Sequence, residues 1–223
     1  MKMIYINELD GSTSIFYYIP NFINQAETED LYNHLETMSD FHNNYNYYKD
    51  KIIRRQKWFQ KDKRYFCEEW KNRYDRWKAY AYTPELSDFQ DMVVNRLKEL
   101  QLAQIGIPIP NINSCLVNMY KDGSHRVRHH RDTDKAFGPS PTIIGISLGT
   151  TRVIEFKRVL YNGSNKCLSK KDKTTQYMNF KMKLEPGSMF IMAGSSQKYW
   201  THGISADNTV VDRRYSLTMR EQI

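Results

Sequence analysis

The sequence has few cysteines and no long hydrophobic run. Its 223 residues include only Cys67, Cys115 and Cys167, which are widely spaced and form no C-x-x-C pair. This excludes a disulfide framework and a zinc site of paired thiolates. The apolar runs are far shorter than the ~20 residues that span a bilayer, and acidic residues stand where a signal peptide would continue its apolar core. We therefore expect a soluble intracellular protein, in the cytoplasm or nucleus, with no membrane partner.

Acidic residues are fewer than basic ones. The chain has 33 Lys and Arg against 25 Asp and Glu, a net charge of +8. This excess favours an anionic partner, such as nucleic acid, a membrane surface or an acidic protein. A scattered, solvated basic surface is the alternative. No internal repeat or linker divides the chain, so we predict one domain over 1–223 and a monomer.

The hydrophobic pattern predicts an α+β protein that is mainly β. Helices are expected over 24–38 and 88–101, the second capped by Ser87 or Asp88. A strand is expected over 15–19, and a polar hairpin loop over 158–173. Eight further strands are predicted, which favour a sandwich or barrel with the N-terminal helices packed on one side: 114–120, 126–130, 142–148, 152–157, 176–184, 188–193, 200–205 and 213–219.

Residues 43–83 combine aromatic and basic side chains. The run KIIRRQKWFQKDKR has seven basic residues and one acid. This mixture is typical of a surface that neutralises phosphates and stacks on bases. A half-buried hairpin whose lysines extend to solvent is an equal alternative from this stretch alone.

The segment NMYKDGSHRVRHHRDTD contains a histidine and a carboxylate two residues apart, His130 and Asp132. On a strand, such residues point to the same face and could share a metal ion. Two histidines and one carboxylate form the site used by iron(II) oxygenases. His202, in the apolar stretch YWTHGIS, is the candidate third ligand, although a lone histidine is ordinarily structural.

Arg214 and Arg220 lie six residues apart in RYSLTMR. On a strand they share one face. If that face is the inside of the barrel, the two guanidinium groups require anions, and a dicarboxylate beside the metal would provide them. The alternative is a pair of surface arginines near a basic C-terminus.

The order N-x-Y-x-x-G, H-x-D, H, R-x-x-x-x-x-R resembles the AlkB family of iron(II)- and 2-oxoglutarate-dependent dioxygenases, most closely its nucleic-acid repair branch. The resemblance covers about 114–220, and YAYTP at 80–84 is similar to the family's lid element. It implies a single AlkB-like domain, with a double-stranded β-helix (jelly roll) core over 112–220 and a basic aromatic nucleotide-recognition lid over 43–86.

The resemblance also implies roles for individual residues. Iron(II) would be held by His130, Asp132 and His202. The co-substrate 2-oxoglutarate would be bound by Asn118, Tyr120, Arg214 and Arg220, with Arg214 on its distal carboxylate.

The expected substrate contacts follow from the same resemblance. The expected catalytic residues are Arg220, near the metal-side carboxylate of the co-substrate and the substrate, and Asp134, which would contact the target base. His130 would form one stacking wall for the flipped base. The other contacts would come from lid aromatics, with Trp58 as the opposite wall and Phe59 second, and with Tyr80 and Tyr82 nearby.

Two positions depart from the family pattern. Ser216 replaces the usual Asn, which puts one co-substrate hydrogen bond in doubt. Lys135 replaces an acidic residue, which could alter the substrate preference.

The implied reaction is oxidative demethylation of 1-methyladenine and 3-methylcytosine in DNA, consuming O2 and releasing formaldehyde, succinate and CO2. Alternatives are the same chemistry on RNA bases or a protein side chain, and an inactive nucleic-acid-binding module. Iron, co-substrate and substrate are expected to meet on one β-hairpin.

Overall fold

The computed structural model describes residues 1–42, 54–71, 74–159 and 179–223. Within them, twelve strands form an eight-stranded sheet, in the order β1-β2-β10-β7-β12-β5-β3-β4, and a four-stranded sheet, in the order β6-β11-β8-β9. The strand bounds are β1 Lys2–Asn7, β2 Thr13–Ile19, β3 Arg55–Gln60, β4 Ala79–Tyr80, β5 Ser114–Tyr120, β6 Val127–His130, β7 Ile143–Gly149, β8 Arg152–Arg158, β9 Asn179–Leu184, β10 Met189–Gly194, β11 Trp200–Ile204 and β12 Arg214–Arg220.

The two sheets face each other across a hydrophobic core. Phe16 and Phe190 from the eight-stranded sheet pack with Phe156 and Trp200 from the four-stranded sheet. The rings of Phe16 and Phe156 meet edge to face, with their centroids 4.9 Å apart. This arrangement of mainly antiparallel strands confirms the predicted jelly roll.

Helices α1 (Gln25–Thr37) and α2 (Pro84–Glu99) cover the outer face of the eight-stranded sheet. The predicted first helix is confirmed. The predicted start of the second helix was wrong, because Thr83 is its N-cap: the Thr83 hydroxyl accepts a hydrogen bond from the Leu86 amide, and Pro84 follows at the first helical position. Two single-turn helices follow strands of the four-stranded and eight-stranded sheets: α3 (Asp134–Phe137) packs against Trp58 of β3, and α4 (Ser196–Tyr199) contacts β2, β10 and β11.

The predicted strands of the C-terminal half are present, with ends shifted by at most one residue where both ends are described. For the strand predicted over 176–184, the structure describes β9 from Asn179 onward. The loop predicted over 158–173 lies almost wholly outside the described residues. Strand β1 was not predicted, because its short apolar run MIYI shows no alternation of polar and apolar residues.

The stretch predicted as a lid, 43–86, divides into different parts. Residues 43–53 and 72–73 lie outside the described residues. Strand β3, within this stretch, is an inner strand of the eight-stranded sheet, paired with β5 and β4, and the stretch ends in α2. This part of the predicted lid therefore belongs to the scaffold.

The expected meeting on one β-hairpin was wrong. Strand β5, with Asn118 and Tyr120, belongs to the eight-stranded sheet, whereas β6, with His130, belongs to the four-stranded sheet. The connection between them crosses from one sheet to the other. Gly123 lies in this crossing, where an added Cβ would sit 1.7 Å from the carbonyl oxygen of Asp207.

Among the described residues, no helix has the length and apolar character of a membrane span.

Candidate active site

Three predicted metal ligands meet at one end of the four-stranded sheet. His130 ends β6 and lies directly opposite His202 on β11 in the antiparallel register. Asp132 Oδ1 lies 3.7 Å from His130 Nε2 and 3.8 Å from His202 Nε2. One potential ligand atom from each residue falls within 4.8 Å of the others. Because β6 ends at His130, the loop after the strand, rather than strand alternation, brings Asp132 into place.

Burial and neighbouring charges prepare these groups to bind a cation. Burial lowers the pKa of His202 to about 3, and it lowers the pKa of His130 as well. For Asp132, burial alone would raise the pKa, but the charge of Arg220 and its hydrogen bond to the carboxylate outweigh it and hold the pKa below its usual value. Neutral imidazoles and an ionised carboxylate are the protonation states that metal ligation requires, and this donor set fits iron(II).

Arg220 fixes the carboxylate of Asp132. Its Nε donates to Asp132 Oδ2 at 2.5 Å, and both side chains are about 5 % exposed. The other carboxylate oxygen, Oδ1, faces the two histidines. Arg220 is therefore bonded to one of the proposed metal ligands, Asp132.

Arg214 lies on the same face of β12 and is completely buried. One of its guanidinium nitrogens donates to Ser147 Oγ at 2.8 Å, and the guanidinium carbon lies 5.0 Å from the centre of the Tyr120 ring. Within the described part of the chain, Arg214 Nε and Nη1 have no hydrogen-bond partner. A buried cation with free donors requires an anion, and a carboxylate is a suitable one.

A single cavity joins the arginine to the metal ligands. Its polar lining includes Asn118, Tyr120, His130, His202, Arg214 and Arg220, all predicted from the sequence, and its apolar lining includes Ile154, Leu184, Phe190 and Met192. The cavity thus offers the two histidines of the triad, a buried guanidinium and an apolar wall between the two sheets, and Asp132 lies just behind the histidines.

Sequence reasoning missed two residues that hold Asn118. Arg54 Nε donates to Asn118 Oδ1 at 2.7 Å, and Gln56 Nε2 donates to the same oxygen at 3.3 Å. Arg54 also lines the cavity. Arg54 and Gln56 are two residues apart, so on a strand they would point to the same face. The sequence alone could not show that this face meets Asn118, because that requires knowing that β3 pairs with β5.

Ser216 lines the cavity between two polar neighbours. In the strand registers it lies opposite Asn118 on one side and Ser147 on the other. The row Asn118–Ser216–Ser147 therefore crosses three strands beside Arg214. Ser147, which accepts a hydrogen bond from Arg214, was not identified from the sequence.

The structure does not place Trp58 or Phe59 at the cavity. Trp58 opposes Leu116 on β5 but is 0 % exposed, beneath Phe66 and Phe137. Phe59 points to the opposite face of β3, into the core under α1 and α2. Burial of both rings argues against the predicted base-stacking role, and we correct that assignment.

The remaining predicted substrate residues lie apart from the cavity lining. The Tyr80 hydroxyl contacts His42 Nε2 at 2.9 Å, and the Tyr82 hydroxyl donates to Gln90 at 2.6 Å. Asp134 is exposed at the start of α3, in a groove that also includes Asp132. Lys135 forms an ion pair with Glu69.

Comparison with known proteins agrees with this geometry. The family described as the 2OG-Fe(II) oxygenase superfamily matches residues 15–220. The chain is 31 % identical over 108 residues to alpha-ketoglutarate-dependent dioxygenase alkB homolog 3 of Rattus norvegicus, covering 48 % of this chain and 35 % of that protein. It is 29 % identical over 125 residues to DNA oxidative demethylase ALKBH2 of Arabidopsis thaliana, covering 51 % of this chain and 39 % of that protein.

A solved structure shares the fold. The structure of OsALKBH1 superimposes with a TM-score of 0.57 at 18 % identity, covering 92 % of this chain and 97 % of that one. The matched stretch is well under half the length of the two curated relatives.

Proposed function

Since this chain belongs to the 2OG-Fe(II) oxygenase superfamily, we propose that it is an AlkB-family enzyme that oxidatively demethylates N-methylated nucleic-acid bases. The observation that carries this proposal is the cavity lined by His130, His202 and the buried guanidinium of Arg214, with the third member of the triad, Asp132, 3.7 and 3.8 Å from the two histidines. Together with O2, iron(II) and 2-oxoglutarate would hydroxylate an N-methyl group, which leaves as formaldehyde, while the 2-oxo acid is converted to succinate and CO2.

Different residues of this chain would bind the metal and the co-substrate. His130, Asp132 and His202 hold the metal. Arg214 would bind the distal carboxylate of 2-oxoglutarate with its free guanidinium N–H groups, since Nε and Nη1 have no partner among the described residues. Asn118 and Tyr120 lie beside it on β5 and contact the co-substrate.

Arg220 keeps Asp132 ionised and oriented. The apolar wall of Ile154, Leu184, Phe190 and Met192 excludes water from the co-substrate's carbon chain. A dry site strengthens the ionic contacts that hold the co-substrate.

A methylated base is the substrate that we propose. The net charge of +8 favours a polyanion, and the relatives in Arabidopsis thaliana and Homo sapiens are named DNA oxidative demethylases. Methylation of the Watson–Crick edge, as in 1-methyladenine and 3-methylcytosine, prevents pairing and lowers the cost of flipping the base. Asp134, exposed next to the metal ligands, is the proposed contact to the target base.

The proposal is tested by incubating the iron-loaded protein with 2-oxoglutarate and methylated oligonucleotides of DNA and RNA, single- and double-stranded. Mass spectrometry then follows the loss of the methyl group, and succinate is measured in parallel. We expect demethylation of DNA, with the RNA samples testing the alternative substrate. Demethylation of neither polymer, with succinate still released, would refute the nucleic-acid substrate.

The matched control is Asp132→Ala, which removes one proposed metal ligand. We expect a folded protein without demethylation and without succinate release. Unimpaired succinate release by this variant would refute the triad.

A further inference from the structure

Asp132 occupies a position that its own strand does not stabilise. Strand β6 ends at His130, so the backbone of Asp132 has no place in the β-ladder. Its backbone N–H instead donates to the side-chain oxygen of Gln197, at 2.9 Å. Gln197 is 7 % exposed and lies in α4, 65 residues further along the chain. A side-chain amide thus supplies the acceptor that a neighbouring strand would normally provide.

We infer that Gln197 is a positioning residue that holds Asp132 ready for the metal, an inference that rests on the proposed metal site. The orientation of its amide is set on both sides. Gln197 Nε2 faces Met192 Sδ at 3.6 Å and Ser196 Oγ at 3.4 Å. Its oxygen therefore points toward Asp132, because only the oxygen can accept the backbone N–H.

Helix α4 connects two of the proposed ligands. It leads directly into β11, which carries His202 five residues after Gln197. A second contact ties the same segments together, from Arg131 Nη1 to the carbonyl oxygen of Lys198 at 3.2 Å. One short stretch of chain therefore presents one ligand and fixes the loop of another.

The hydrogen bond complements the contact of Asp132 with Arg220. Arg220 fixes the end of the side chain, and Gln197 fixes the backbone from which it extends. Loss of the Gln197 oxygen leaves the Asp132 N–H without its acceptor and frees the loop between β6 and α3. Removal of a group that orients a metal ligand typically weakens metal affinity about 10–100-fold.

The test compares wild type with three variants of Gln197. Gln197→Leu removes the acceptor at similar size. Gln197→Asn keeps an amide but shortens it by one methylene, so that its oxygen no longer reaches Asp132. Gln197→Glu keeps an acceptor oxygen at the original length and is the rescuing variant.

Mn²⁺ is titrated into each metal-free protein by calorimetry, and Co²⁺ binding is followed by its visible absorption. We expect the dissociation constant to rise about 10–100-fold for the Leu and Asn variants, with a changed Co²⁺ spectrum. The Glu variant should stay within a few-fold of wild type. The melting temperature of each metal-free protein is measured in parallel, since a purely structural role would change that temperature and leave the Co²⁺ spectrum unaltered.

The outcomes separate this inference from the proposed function. Wild-type protein that binds neither metal would overturn the metal site itself. Wild-type protein that binds, with equal affinity in the Asn variant, would overturn the role of Gln197. If the Leu variant does not fold, the comparison of Asn with Glu decides, because equal weakening in both would show that the acceptor oxygen is not what matters.

Discussion

At the scale of single residues, the charges of the site are set by the protein itself. Arg220 holds Asp132 ionised, and burial keeps His130 and His202 neutral. Arg214 is different, because two of its nitrogens have no partner among the described residues. The ionised carboxylate and the neutral imidazoles are therefore suited to bind a cation, and the guanidinium of Arg214 is suited to bind an anion.

Replacing Arg214 by lysine should weaken co-substrate binding. A lysine keeps the charge but cannot make two parallel hydrogen bonds to a carboxylate. We expect the KM for 2-oxoglutarate to rise about 10–100-fold, which corresponds to the ~1.5–3 kcal/mol of a hydrogen bond to a charged group. The measurement is a 2-oxoglutarate titration of succinate release.

Arg213→Lys is the matched control, because the adjacent arginine pairs with Glu36 on α1 instead of facing the cavity. Its KM for 2-oxoglutarate should match that of wild type. An unchanged KM in Arg214→Lys would count against the carboxylate-binding role.

Trp58→Ala should act on stability. The ring is 0 % exposed and its indole Nε1 donates to the carbonyl oxygen of Arg64 at 3.2 Å. Truncating a buried tryptophan costs about 3–5 kcal/mol, which urea unfolding would measure. Trp58→Phe, which keeps most of the apolar contact, should lose less. A wild-type unfolding midpoint in Trp58→Ala would show that the ring is not part of the core.

At the scale of elements, the two long helices are held to each other and to the sheet by specific contacts. Glu27 accepts the Asn24 backbone N–H in the capping box of α1 and also pairs with Arg96 on α2. Hydrogen bonding to Arg96, together with the backbone bond at Asn24, outweighs burial and lowers the pKa of Glu27 below 4.5.

Glu27→Gln should therefore reduce stability in a pH-dependent way. A lowered folded-state pKa means that the carboxylate stabilises the protein above pH 4.5, the unfolded value, and that this stability disappears as the pH falls through the folded value. We expect a loss of roughly 0.5–1 kcal/mol at pH 7 and none at low pH, measured by urea unfolding across pH.

The control is Glu29→Gln, an exposed residue two positions away on α1. It should change the free energy of unfolding by less than about 0.5 kcal/mol. Equal losses from Glu27→Gln at pH 7 and at low pH would contradict the ionic contribution.

The elements also show which features a sequence reveals. Strands such as β5 and β12 were predictable because they are short runs rich in apolar residues, and both are buried along their whole length. Arg214 and Arg220 share a face because they are an even number of residues apart on one strand. Burial of Trp58 was not predictable, since it depends on Phe66 and Phe137 from other parts of the chain. The hydrogen bond from Arg54 to Asn118 likewise depends on a strand pairing between distant segments.

At the scale of the whole molecule, the proposed sites for the metal and for 2-oxoglutarate lie between the two sheets. The histidines come from the four-stranded sheet, whereas Asn118, Arg214 and Arg220 come from the eight-stranded sheet. A ligand that binds the folded protein alone stabilises it in proportion to the logarithm of its concentration over its Kd.

Mn²⁺ should therefore raise the melting temperature. At about 100 times its Kd, the added stability is ~2.7 kcal/mol, or roughly 5–10 °C for a chain of this size. Differential scanning calorimetry over a series of Mn²⁺ concentrations would measure the shift. Asp132→Ala should show almost none, and an equal shift in this variant would mean that the ion binds elsewhere.

The salt bridge from Asp132 to Arg220 has a consequence for how the two sheets behave together. Asp132 follows β6 at the edge of the four-stranded sheet, and Arg220 of the eight-stranded sheet donates a hydrogen bond to its carboxylate. The pair therefore already forms a crosslink across the cleft. The three proposed metal ligands all lie on the side of the four-stranded sheet, whereas Arg214 and Asn118 lie on the eight-stranded sheet, so a co-substrate that contacts both the metal and Arg214 would add a further crosslink between the same walls. Binding of the metal or of the co-substrate should therefore restrict the spacing that the other requires, and by reciprocity each should increase the affinity for the other.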